Sequence, residues 1–79
     1  MAQVRIEFTV EPFVDGQPGP HVLSAVGAVE DEGLPVDVGP FSSQAVGSPE
    51  QAAVAVAELL RAALANGATR VSLQVEVVE

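Results

Sequence analysis

Hydrophobic and polar residues alternate strictly over residues 3–10, with Val4, Ile6, Phe8 and Val10 on one face and Gln3, Arg5, Glu7 and Thr9 on the other. A period of two over this length predicts a half-buried strand. Pro12, Gly16, Pro18, Gly19 and Pro20 then crowd residues 11–20, a density no regular ladder survives, so a long surface loop is expected. Over residues 21–32 the period lengthens: Val22, Val26 and Val29 recur at helical spacing with Leu23 and Ala25 beside them, and Gly33 ends the run. Glu30, Asp31 and Glu32 lie at the negative end of that helix, where they do nothing for local helix stability and mark a solvated surface.

Residues 34–39 alternate again, with Val36 and Val38 opposed to Pro35 and Asp37, and the proline confines this strand to a sheet edge. Gly39-Pro40 turns the chain into residues 41–47, a weaker strand in which Phe41, Ser43 and Ala45 share one face and Ser42, Gln44 and Val46 the other. The second helix is announced by Ser48 as N-cap, Pro49 at the first helical position and Gln51 placed to close a capping box. Ala52, Val56, Leu59, Leu60, Ala63 and Leu64 form its expected inner face, and Asn66-Gly67 ends it. Residues 68–79 give a last strand with Val71, Leu73, Val75 and Val77 inward and Arg70, Ser72, Gln74 and Glu76 outward.

The order strand, helix, strand, strand, helix, strand with right-handed crossovers closes into a four-stranded antiparallel sheet with both helices on one face, the α+β ferredoxin-like plait. The first and third strands are then central and the other two are edges. Arg5, Glu7, Thr9, Asp37, Ser72, Gln74 and Glu76 are left on the uncovered face. The last strand is a long edge without proline, the kind that pairs with another chain unless blocked, so self-association is expected.

Composition narrows the function. The 79 residues allow one domain, residues 1–79, with a thin stability margin. No cysteine is present and His21 is the sole histidine, so disulfides, thiol catalysis and cysteine-based metal sites are excluded and oligomerisation is the remaining source of extra stability. Eleven acidic residues against Arg5, Arg61 and Arg70 give a formal net charge of -8. Nucleic acid and anionic membranes, which need basic patches, are poor partners for such a chain. The amino terminus lacks a continuous apolar core, and residues 52–57 are too short to cross a bilayer, so a soluble cytoplasmic protein is expected.

Candidate chemistry is sparse. His21 follows the loop and reads as an exposed or capping residue rather than a catalytic base. Glu11, Asp15 and His21 match no recognised metal-ligand spacing, and no phosphate-cradling motif occurs. Glu7 and Asp37 form an acid/base pair only if their strands bring them close. No cofactor is implied, and a domain that binds or assembles is expected over an enzyme. The remaining binding features are Phe13 in the loop and Phe41 after the turn, near Ser42, Ser43 and Gln44.

Phe8-Thr9-Val10-Glu11-Pro12, Glu32-Gly33-Leu34, Val36-Asp37-Val38-Gly39-Pro40-Phe41, Gly47 before the second helix, and Asn66-Gly67-Ala68-Thr69-Arg70-Val71, in that order, resemble the small thiamine-binding protein family. Its members are single-domain relatives of a tandem-repeat bacterial protein that binds thiamine and its hydroxymethylpyrimidine moiety. The resemblance covers nearly the whole chain. It implies a ferredoxin-like fold, a homodimer or homotetramer built through sheet contacts, and a small ligand such as thiamine. Contacts to that ligand are expected from Glu7, Thr9, Phe13, Asp37, Phe41, Ser42, Ser43 and Gln44. Family members carry Gly-Thr after the turn, a glutamate before the glycine and a histidine in the second helix, where this chain has Ser42-Ser43, Val46 and Leu60. The alternative is a structural or regulatory oligomerisation module without a ligand.

Overall fold

The computed structural model describes residues 2–13 and 18–78. Its elements run β1 (Gln3–Glu11), α1 (Pro20–Asp31), β2 (Val36–Val38), β3 (Ser43–Gly47), α2 (Pro49–Ala65) and β4 (Arg70–Val78). The strands form one antiparallel sheet in the order β2-β3-β1-β4, and both helices pack on it and on each other. This is the α+β plait expected from the sequence, with β1 and β3 central and the proline-preceded β2 at an edge.

Alternation in β1 decides which face becomes the core. Ile6 and Phe8 are almost completely buried and Val4 and Val10 nearly so, joined by Ala25 and Val29 of α1, Leu34, Ala45 of β3, and Ala52, Ala55, Leu59 and Ala63 of α2. The alanines at the helix contacts let the helix axes approach closely, which a small domain needs to exclude water. At the start of α2, Ser48 Oγ accepts a hydrogen bond from the Gln51 amide at 3.1 Å while the Ser48 amide donates to Gln51 Oε1 at 3.1 Å. Gln51 Nε2 also donates to the Glu32 carbonyl at 3.4 Å, so one side chain ties the start of α2 to the end of α1. Gly33 and Gly67, at φ 88° and 98°, end the helices in the left-handed conformation their sequences predict.

Several expected positions differ. β3 begins at Ser43, so Phe41 belongs to the turn and is exposed instead of sharing the strand's inner face. Leu64 and Leu23 also face solvent, because the narrow seam of α1 against α2 and the sheet is filled by His21, Ala25 and Val29 on one side and by Ala52, Ala55, Leu59 and Ala63 on the other. In β4, Val71 and Leu73 pack against the core, but Val75 and Val77 are 54% and 63% exposed. They lie on the helix-facing side, opposite Ile6 and Val4, and the helices lie over β1, β2 and β3 without covering them.

The opposite face is polar. Register places Asp37, Gln44, Glu7 and Gln74 in one row across all four strands, and Val46, Arg5 and Glu76 in the next. Arg5 is paired with Glu76 across that second row.

Candidate ligand cavity

Because β1 runs toward the end of the sheet from which β3 starts, the segment after β1 and the β2–β3 turn meet there, beside the first turn of α1. Between them lies a cavity of about 320 Å³. Phe8, Thr9 and Val10 of β1 form its floor, Phe13, Pro18, Gly19 and Val22 one wall, and Val38 through Ser43 the other. Most of this lining is apolar. The rings of Phe13 and Phe41 meet edge to face with centroids 6.2 Å apart, and both remain largely exposed, so the pair stands at the mouth rather than in the core.

Two hydroxyls in the turn have different fates. Ser42 Oγ donates to Glu7 Oε2 at 2.9 Å, which uses its proton on the neighbouring strand. Ser43 is 5% exposed, lines the cavity, and its hydroxyl has no hydrogen-bond partner among the described residues. No described side-chain polar atom that is fully sealed from solvent lacks a partner, so the Ser43 oxygen keeps some accessible area. A buried hydroxyl in that position is a ready donor and acceptor for whatever enters.

The structure brings Thr9, Phe13, Phe41, Ser42 and Ser43 together around the cavity and leaves Glu7, Asp37 and Gln44 outside its lining. Those three share the polar face, Glu7 touching the site only through Ser42. Register puts Gln44 between Glu7 and Asp37, so the two carboxylates are not the adjacent pair that acid/base chemistry requires. Val46 lies on the polar face and Leu60 packs beside the core of α2; neither lines the cavity.

His21 is a correction. Read from sequence as exposed or capping, it is buried, and its Nε2 donates to the Pro12 carbonyl at 2.6 Å. The imidazole occupies the same seam as Ala25 and Val29, one and two turns on, and fastens α1 to the segment that carries Phe13. Its place in that seam could have been found by extending the helical period of Ala25 and Val29 back by four residues. Asp15, the third candidate metal ligand, lies outside the described residues. Among the described residues no group of three metal-ligating side chains occurs.

Pro18, Gly19, Val22 and Val38 also line the cavity and were not expected there. Val22 and Val38 read as ordinary apolar positions of a helix and a strand, and only the meeting of their elements gives them a second role.

No protein-family model matches the chain, and no curated protein sequence does. Solved structures do. A domain of unknown function, DUF77, from Bacillus cereus superposes with TM-score 0.69 at 22% identity, over 98% of this chain and 75% of that one. A hypothetical protein from Methanocaldococcus jannascii gives TM-score 0.70 at 21% identity, over 100% and 81% of the two chains. These likenesses establish the fold. A third structure, from Thermotoga maritima, gives TM-score 0.68 at 28% identity over 95% of this chain and 81% of that one, and carries the proposed description of a thiamine biosynthesis/salvage protein.

Proposed function

We propose that this chain is a non-enzymatic small-ligand-binding protein that works as a homo-oligomer, with thiamine or a related pyrimidine as the ligand. The observation that carries the reading is the cavity at the end of the sheet, apolar on most sides, with one buried hydroxyl that has no partner among the described residues and an exposed aromatic pair at its mouth. Ligand pockets combine these features, a predominantly hydrophobic lining and a few convergent polar groups. The Thermotoga maritima relative supports a thiamine-related ligand through its description. Binding is favoured over catalysis because the only histidine is held by the Pro12 carbonyl and does not line the cavity.

Calorimetry and thermal shift with thiamine and hydroxymethylpyrimidine test this. Saturable heat and a rise in Tm are expected, and Phe41→Ala is expected to weaken binding without unfolding the protein. A flat titration with both compounds ends the reading.

Exposed Val75 and Val77 on an edge strand favour a second reading, an assembly module that acts without ligand. Stable oligomers that never respond to the compounds above would support it. Nucleic acid and anionic membranes are set aside on the net charge of -8. No described helix is long and apolar enough to cross a membrane.

A further inference from the structure

We propose that the cavity selects an unphosphorylated planar heteroaromatic molecule and discriminates against its phosphate esters. The inference rests on the ligand-binding reading above and sharpens it to a chemical class. At about 320 Å³ the cavity is at the small end of ligand pockets, enough for a one- or two-ring compound.

Every fixed cation of the chain is accounted for elsewhere. There is no lysine, and the three arginines are each engaged by a carboxylate: Arg5 by Glu76 on the polar face, Arg61 by Glu58 on α2, and Arg70 by Glu11 at 3.7 Å. None of them lines the cavity. Arg70 and Glu11 stand on the polar face, on the far side of β1 from the β2–β3 turn. Residues 14–17, whose sequence is Val-Asp-Gly-Gln, contain no cation to add.

The usual substitute for a cation is a helix N-terminus, and the first turn of α1 does border the cavity. Here that device is reduced. Pro20 at the first helical position has no N–H, and the Val22 and Leu23 amides both donate to the Gly19 carbonyl at 3.1 Å, so the His21 amide is the one first-turn donor left for an anion. The Glu7 carboxylate behind Ser42 and the acidity of the whole chain add repulsion. A phosphate entering this site would lose its hydration and find no opposite charge, which is strongly unfavourable. A neutral or cationic ring with a donor-acceptor edge instead satisfies the Ser43 hydroxyl and buries its faces near Phe13 and Phe41.

The test is calorimetry with two matched pairs, hydroxymethylpyrimidine and its phosphate, and thiamine and its monophosphate. The unphosphorylated member of each pair is expected to bind at least about tenfold more tightly. Val38→Lys places a cation on the lining and is expected to narrow that gap. Ser43→Ala is expected to weaken binding of hydroxymethylpyrimidine and thiamine about tenfold while leaving Tm of the free protein unchanged or higher, because it removes a hydroxyl with no partner among the described residues. Phosphate esters that bind as tightly as their parents overturn the selectivity and leave the ligand reading standing. Unchanged affinity in Ser43→Ala overturns the anchoring role. If no member of either pair binds, the ligand reading itself falls and takes this inference with it.

Discussion

Gly47 closes β3 on its helix-facing side, where a Cβ would fall inside the van der Waals envelope of Leu34 Cδ2 and press on Gln51 Oε1 at 3.2 Å. Leu34 is itself almost fully buried and has little room to yield. Gly47→Ala is therefore expected to cost about 1–3 kcal/mol, read as a lower urea midpoint with an unchanged slope. His21 presents the opposite problem, a polar ring in an apolar seam. His21→Ala is expected to destabilise by about 2 kcal/mol or more, since the Pro12 carbonyl loses its donor and a void opens beside Ala25 and Val29. Chemical denaturation of both variants checks these two outcomes. The burial of His21 follows from the helical period, but its bond to Pro12 and the contact of Gly47 with Leu34 do not, because each joins residues from different elements or loops.

At the scale of elements, α2 was the most readable part of the chain. Its capping box, proline and terminal glycine act over a few residues, and the structure shows each of them in place. Ser48→Ala is expected to cost about 1 kcal/mol, and amide hydrogen exchange is expected to quicken first in the opening turn of α2. The inner face of α2 was less readable. Leu59 and Ala63 were expected inside and are, whereas Leu64 was expected inside and is exposed. Periodicity locates the centre of a helix's buried arc but not its width; how far neighbours wrap around it fixes that. β4 makes the same point for strands. Its alternation correctly separates Arg70, Ser72, Gln74 and Glu76 from the valines, yet Val75 and Val77 lie uncovered because no helix reaches the end of that edge.

For the whole molecule, that uncovered apolar strip on an edge strand is the surface on which the proposed self-association would rest. A double substitution, Val75→Lys with Val77→Lys, is expected to shift the protein to monomer in light scattering while leaving its far-UV circular dichroism intact. Because each chain carries -8, association works against charge repulsion, so raising ionic strength is expected to favour the oligomer. Loss of oligomer at high salt would instead point to an interface held by ion pairs. The cavity at the other end of the molecule does not use Val75 or Val77, so the charged variant is expected to retain ligand affinity if each subunit binds independently.

The sequence by itself determined the order and type of the elements, the core face of β1, the caps of α2, the edge position of β2 and the net charge of -8. Each of these follows from residues that act on near neighbours or on the solvent. Only the tertiary structure decided which candidate residues share a site. Thr9, Phe13, Phe41, Ser42 and Ser43 come from three separate segments and meet because β1 ends where β3 begins, while Gln44, one residue beyond Ser43, points to the opposite face. It also decided that one serine spends its proton on Glu7 while the next lines the cavity with no partner among the described residues, a distinction between adjacent identical residues that alternation across a pleated sheet creates.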